Sequence, residues 1–131
     1  MASVLYPKFK ERLLQGQINL SSAVVRAVLI DTGVYAYNAA HDAYDDLSGV
    51  VGTESPAMAS KTFTDGTFDA ADYSFTGVTG NTAEALVYFV DSGTPATDYL
   101  ICYVDSGSGL PFTPNGGNLN VTVNASGIFT L

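Results

Sequence analysis

Two apolar runs, residues 85–90 and 99–104, place the strongest constraint on the fold, because nearly every position in them is apolar. Successive residues of a strand point to opposite faces of a sheet, so Tyr88 and Phe89 lie on opposite sides. A strand that is apolar on both sides must be covered twice. The sequence leaves two alternatives open: a second layer of the same chain, or a neighbouring subunit.

A third apolar run, residues 23–30, ends in the same way as these two. Each run is followed by an Asp-Thr/Ser-Gly triplet, at 31–33, 91–93 and 105–107. The aspartate can cap a turn through its own side chain, and the glycine accepts a positive φ. Aspartic proteases carry a similar triplet but need two such carboxylates sharing a proton. We therefore interpret the triplets as turns that end strands.

The remaining pattern predicts a mainly β fold with one helix at the N-terminus. Apolar residues at three- and four-residue spacing predict a helix over residues 4–15, with a stop at Gly16. Asp65-Gly66 predicts a type I′ hairpin turn between residues 61–64 and 67–68. Further short strands are expected over 74–76, 118–123 and 127–131, the last two joined by a short turn.

Seven or eight short strands separated by turns are typical of an antiparallel β-sandwich, a jelly roll or a barrel. The length of 131 residues suits one such domain. We divide the chain into an N-terminal helical arm, residues 1–17, and a single β-rich domain, residues 18–131. The order of the strands does not follow from the sequence.

Charge is distributed unevenly along the chain, which has a formal net charge of -8. Residues 1–30 contain four of the five basic residues and one acid, and all other acids follow. A basic leader on an acidic body can dock on an acidic neighbour, including a second copy. The overall charge disfavours nucleic acid as a partner, and no apolar segment approaches the ~20 residues that span a bilayer.

Residues suited to catalysis or metal binding are few. His41 is the only histidine, and Asp45 lies one helical turn away, but two ligands are too few for a structural zinc site. Asp69 and Asp72 are interpreted as turn caps, and Cys102 as a small buried hydrophobe. The acidic loops lack EF-hand spacing. We expect no catalytic residue, no metal and no cofactor.

Aromatic and basic residues are the better candidates for function, because tyrosine combines a large apolar area with a hydroxyl and is common at protein interfaces. The candidate interface residues come from the leader and the two-sided strands. They are Tyr6, Lys8, Phe9, Lys10, Arg12, Tyr88, Tyr99 and Tyr103.

Several short segments together resemble small structural proteins of tailed bacteriophages. These are residues 5–10, 19–22, 28–32, 66–72, 84–87, 91–94 and 110–117. The resemblance covers most of the chain, but its motifs are turns and strand edges. It implies a virion protein without catalytic residues, made in the cytoplasm of the bacterial host. Its implied partners are the major capsid protein and further copies of the chain, in a trimer or another cyclic group.

Within that resemblance, the leading hypothesis is a head decoration (cement) protein on the capsid surface, held by residues 1–17 and the aromatic strands. The first alternative is a protein of the tail, the baseplate or a fibre. A carbohydrate-binding β-sandwich module is a second alternative, and it requires an exposed aromatic platform. An enzyme has the least support, because no nucleophile and base pair is apparent.

Overall fold

The computed structural model describes residues 3–105 and 109–131. In these residues the chain forms one α-helix, Pro7–Leu14 (α1), and nine strands. The strands are Ser3–Leu5 (β1), Val25–Ile30 (β2), Val50–Val51 (β3), Thr67–Phe68 (β4), Tyr73–Phe75 (β5), Ala85–Val90 (β6), Leu100–Val104 (β7), Leu119–Val121 (β8) and Phe129–Thr130 (β9). The predicted class, mainly β with one N-terminal helix, is confirmed.

The main sheet has five antiparallel strands in the order β1-β7-β6-β2-β3. β6 lies in the middle, between β7 and β2. The strands β2, β6 and β7 correspond closely to the three apolar runs. Two smaller antiparallel sheets, β4-β9 and β5-β8, complete the sandwich-like body.

The Tyr88 face of the main sheet is covered by the sheet of β5 and β8. The hydroxyl oxygens of Tyr73 on β5 and Tyr88 on β6 lie 2.7 Å apart, and both side chains are buried. Phe75, Leu119 and Val121 of the same small sheet are buried as well. This layer removes one apolar face of β6 and β7 from water.

The Phe89 face is covered by the segment between β2 and β3. The ring of Tyr44 lies 5.0 Å from that of Phe89, centroid to centroid, and the ring of Tyr37 lies 5.9 Å from that of Tyr103. Both faces of the central strands are therefore covered by the chain itself. Of the two alternatives left open by the sequence, the structure shows the two-layered core.

The N-terminal segment differs from the prediction. Residues 3–5 form strand β1, paired with β7, where a helix over 4–15 was predicted. The backbone N–H of Tyr6 donates to the carbonyl of Ile101, and the helix begins only at Pro7. Proline disfavours helical backbone in the residue before it and suits the first helical position, so Pro7 separates the strand from the helix.

The end of α1 agrees with the prediction. Gly16 has a φ of 70°, and the N–H of Gln17 donates to the carbonyl of Arg12 at 2.8 Å. This is a glycine cap, which satisfies helix carbonyls that would otherwise be unpaired. Phe9, on the inner side of α1, is 1% exposed and meets the ring of Phe129 edge to face. In the described residues, packing does not separate an arm at residue 17 from the rest of the body.

The turns after the apolar strands are built as predicted, with one difference. The N–H groups of Gly33 and Gly93 donate to the side chains of Asp31 and Asp91 at 2.9 and 3.0 Å. Gly93 has a φ of 89°, but Gly33 does not adopt a positive φ. A Cβ at Gly33 would lie 3.1 Å from Asp31 Oδ1, so close approach favours glycine there. In the third triplet, Ser106 and Gly107 lie outside the described residues.

The predicted hairpin at Asp65-Gly66 is present but short. Both turn residues have a positive φ, as a type I′ turn requires. Thr62 and Asp69 form an antiparallel bridge with hydrogen bonds in both directions, which is the register of a two-residue turn, and β4 also pairs with β9. The last two strands, β8 and β9, are joined by the expected turn but belong to different small sheets.

Buried tyrosines make the fold sensitive to alkali. Burial raises the pKa of Tyr6, Tyr73 and Tyr88 above the ordinary value of 10.0. As the pH rises, these tyrosines lose their protons more readily in the unfolded chain than in the folded one. Their contribution to the free energy of unfolding is therefore fully present below about pH 10 and is lost above it. We expect tyrosinate absorbance to appear together with loss of structure in an alkaline titration. Ionisation of all eight tyrosines near their ordinary pKa in a folded chain would contradict this.

Candidate protein-interaction surface

Four of the predicted interface residues are core residues. Tyr6, Phe9, Tyr88 and Tyr103 are 0%, 1%, 4% and 9% exposed, so they have little surface to offer a partner. Assigning them to an interface is wrong for this structure, because the chain's own layers cover them. An apolar residue that packs on its own sheet and one that packs on a partner give the same sequence pattern.

Arg12 and Tyr99, two further candidates, contact each other. The guanidinium carbon of Arg12 lies 3.8 Å from the centroid of the Tyr99 ring, a cation–π contact. Arg12 Nη2 also donates to Asp42 Oδ2 at 2.9 Å. The basic leader therefore docks on the acidic body of its own chain, and these contacts fix α1 against it.

Other basic residues are also used within the chain. Lys8 pairs with Glu11 one helical turn away, and Lys61 Nζ donates to the carbonyls of Leu20 and Ala23. Arg26 Nε donates to Asp91 Oδ2 at 2.7 Å, and this hydrogen bond lowers the pKa of the Asp91 carboxyl. Of the predicted interface residues, Lys10 is exposed and forms no salt bridge in the part of the chain described.

An exposed apolar surface lies elsewhere, around an open cavity of about 90 Å³. Two large side chains at this cavity, Phe63 and Leu131, are 40% and 69% exposed. We call it the Phe63–Leu131 surface. Its lining residues are Leu20, Phe63, Gly66, Thr67, Phe68, Phe129 and Leu131.

Two contacts explain how the chain builds the Phe63–Leu131 surface. Phe63 stacks on Phe68, with ring centroids 5.6 Å apart and planes at 9°. The N–H of Leu131 donates to the carbonyl of Gly66 at 3.0 Å, which holds the last strand beside this turn. Residues far apart in sequence thus form one apolar surface, whose floor is the core.

A close backbone approach at Gly127 fixes the same strand. Gly127 has a φ of 90°, and a Cβ there would lie 2.5 Å from Thr67 Cγ2 and 2.9 Å from the Phe68 carbonyl oxygen. The next residue, Ile128, donates its N–H to that carbonyl at 2.7 Å. Any side chain at position 127 would push β9 away from β4 and disturb the apolar surface.

The only histidine, His41, forms part of a hydrogen-bonded chain. Its Nδ1 lies 2.9 Å from the Tyr35 hydroxyl, which lies 2.9 Å from the Tyr6 hydroxyl. Tyr6 and Tyr35 are buried, so these contacts satisfy polar groups in the core. His41 therefore holds the segment over the sheet in place.

Near His41, whose pairing with Asp45 was considered too small a ligand set for zinc, Asp42, Asp45 and Asp46 form an acidic cluster whose nearest oxygens lie within 4.8 Å of one another. Asp46 Oδ2 accepts the backbone N–H groups of Asp42 and Ala43, and these bonds lower the Asp46 pKa. The carboxylate thereby caps the turn Tyr44–Asp46. This structural role accounts for the position of Asp46.

The other residues considered for chemistry have structural positions. Cys102 is fully buried, and burial raises the pKa of its thiol, so it is an inert core residue as predicted. Asp69 accepts the backbone N–H of the next residue, Ala70, which is a local contact of the expected kind. Asp72 accepts the backbone N–H of Val123, 51 residues away, so it holds two distant segments together and its assignment as a turn cap is wrong.

Sequence reasoning missed the Phe63–Leu131 surface, although one signal was present. Phe63 alternates with threonines in a segment predicted to be a half-exposed strand, which leaves the aromatic ring without an obvious partner.

The single α-helix of the described residues is too short to span the apolar layer of a membrane. No protein-family model matches the chain, and no curated protein matches it in sequence.

Proposed function

We propose that the chain is a non-enzymatic structural protein of a tailed-phage virion, and specifically a decoration protein on the head. The observation that carries this proposal is the Phe63–Leu131 surface, where two exposed large apolar side chains lie at one cavity. Exposed apolar side chains that lie together are a feature of protein interfaces, whereas single exposed ones need no explanation. The major capsid protein is the proposed partner, and contacts between copies of the chain would extend the interface.

The packing of the chain supports a clamping role. The central strands are covered on both faces, and α1 is fixed by the ion pair of Arg12 and the burial of Phe9. A protein that holds capsid subunits together against internal pressure needs such a stable body and a broad contact. Because a standard interface buries about 800 Å² per partner, the Phe63–Leu131 surface would be the apolar centre of a larger contact.

Surface charge supports the same proposal. Arg12, Arg26 and Lys61 make their contacts within the chain, so acidic residues dominate what remains exposed. A strongly acidic outer face keeps particles apart in solution and repels nucleic acid. The proposed anchor is therefore the apolar surface, and the leader serves to complete the fold.

Truncating Phe63 tests the anchor. An aromatic residue at the centre of an interface costs about 2 kcal/mol or more when truncated, about thirty-fold in affinity. We expect Phe63→Ser to lower binding to purified heads that lack the chain by that factor. Leu14→Ser is the matched control, because Leu14 is 90% exposed on α1 and does not line this cavity. Equal binding of both variants and the unchanged chain would contradict the assignment.

Placement on the particle is tested separately by mass spectrometry of separated heads and tails. We expect the chain in the head fraction at a constant ratio to the major capsid protein. Recovery in the tail fraction alone would favour the alternative, a tail, baseplate or fibre protein. Absence from both fractions would overturn the virion proposal.

A further inference from the structure

A second, larger cavity neighbours the first along the segment after α1, where Leu20 lines the first cavity and Asn19 and Ser22 line the second. It is a groove of about 360 Å³ between the segment that follows α1 and the end of β6 with its following loop. This volume falls in the range of about 300–1,000 Å³ typical of small-molecule sites. We call it the Tyr99 groove. Its lining residues are Gly16, Gln17, Ile18, Asn19, Ser22, Ala23, Val90, Ser92, Thr97 and Tyr99.

The lining of the Tyr99 groove contains no charged residue, although the chain has a net charge of -8. It combines one aromatic ring with side-chain amides and hydroxyls, and with a few aliphatic groups. Amides and hydroxyls each donate and accept hydrogen bonds, so they match the hydroxyl groups of a sugar. An aromatic ring packs against the apolar C–H face of a pyranose. A charged ligand would find no counter-charge in this lining.

The aromatic residue of the groove is held by a neighbour. Arg12 covers one face of the Tyr99 ring at 3.8 Å, and its charge is paired with Asp42. Arg12 does not line the groove, and its contact fixes the position of the ring. A ring fixed before binding loses little conformational freedom when a ligand arrives.

The polar wall is fixed as well. Ser92 Oγ lies 2.7 Å from Thr97 Oγ1, and the Ser92 N–H donates to Asp98 Oδ1 at 2.6 Å. Asp98 is only 5% exposed and also accepts the Ser92 hydroxyl at 2.7 Å, while the Thr97 hydroxyl donates to the Thr94 carbonyl at 3.2 Å. Both hydroxyls are therefore fixed by the chain itself and offer a ligand acceptor oxygens.

We propose that the Tyr99 groove binds a short, uncharged glycan. Tyr99 packs against a sugar ring, and the hydroxyls and amides of the lining contact sugar hydroxyls. This site is separate from the Phe63–Leu131 surface and shares no lining residue with it. A decoration protein with this groove would bring a particle into contact with neutral polysaccharide.

NMR titration of the full chain tests this proposal. The probes are neutral trisaccharides based on glucose, galactose, mannose and N-acetylglucosamine, with sialyllactose as the charged comparison. We expect saturable shifts of backbone amides in residues 16–23 and 90–99 with at least one neutral probe. No saturable shift with any of them, or stronger binding of sialyllactose, would overturn the proposal.

Two variants locate the binding. Tyr99→Leu removes the ring and is expected to weaken binding about tenfold, and Ser22→Trp fills the groove from an exposed position and is expected to abolish it. Phe63→Ser is the control, an exposed aromatic residue outside the groove that should leave binding unchanged. The amide spectrum of each variant establishes that it is folded. Unchanged binding in both folded groove variants would contradict the site.

Discussion

Phe9→Ala is expected to lower the free energy of unfolding by about 3–5 kcal/mol, the usual cost of removing a buried phenylalanine. Phe9 is 1% exposed and packs edge to face on Phe129, with ring centroids 5.7 Å apart. Folded domains of this kind are stable by only about 5–15 kcal/mol. The variant should therefore lose a large part of its stability in urea denaturation.

The control for Phe9→Ala is Lys10→Ala in the same helix. Lys10 is exposed, so this substitution is expected to change stability by less than about 0.5 kcal/mol. The comparison separates loss of core packing from a general effect on α1. If Phe9→Ala were as stable as Lys10→Ala, Phe9 would not be a core residue, and its assignment to an interface would return.

Tyr88→Phe is expected to cost about 1–3 kcal/mol, because it leaves the buried Tyr73 hydroxyl without its partner. Removing both hydroxyls leaves no orphaned group, so Tyr73→Phe combined with Tyr88→Phe should cost less than the two single changes added together. Urea denaturation of the four proteins of this double-mutant cycle measures the coupling. Strictly additive costs would mean that the two hydroxyls do not interact.

Tyr37→Phe is the matched control for this cycle. Tyr37 is partly buried, and its hydroxyl donates only a long 3.4 Å hydrogen bond to the Leu5 carbonyl. Removing the Tyr37 hydroxyl is expected to lower the free energy of unfolding less than removing the hydroxyl of either Tyr73 or Tyr88. If Tyr37→Phe lowered the free energy of unfolding more than Tyr88→Phe does, the layer that contains Tyr35 and Tyr37 would contribute more to stability than the layer of β5 and β8.

The central strands were predictable from sequence, and what covers them was not. Residues 85–90 form β6 as predicted, because a run that is apolar on both faces has few other solutions. Because both faces are apolar, the sequence does not show which segment or subunit packs on each of them. Tyr44 contacts Phe89 from a short helical turn far away in sequence, and no local pattern predicts such a contact.

The N-terminal error has a physical cause that the sequence contained. The apolar spacing of residues 4–14 suits a helix, but Pro7 disfavours helical backbone at Tyr6. Tyr6 has extended backbone angles, and the three residues before it pair with β7. Giving proline more weight than periodicity would have predicted the short strand.

The candidate surfaces were less predictable than the fold, because long-range topology creates them. Phe63 and Leu131 meet only through the pairing of β4 with β9, and Tyr99 meets residues 16–23 only through the docking of α1. Neither pairing leaves a local signature. Residue type alone predicted an interface role for Tyr6, Phe9, Tyr88 and Tyr103. In the structure these side chains pack in the core.

Image reconstruction of the intact particle tests the proposed function most directly. We expect copies of the chain on the outside of the head, with Phe63 and Leu131 buried against the capsid shell. The contrary result is a particle without the chain, together with a purified chain that stays monomeric and turns over a small molecule.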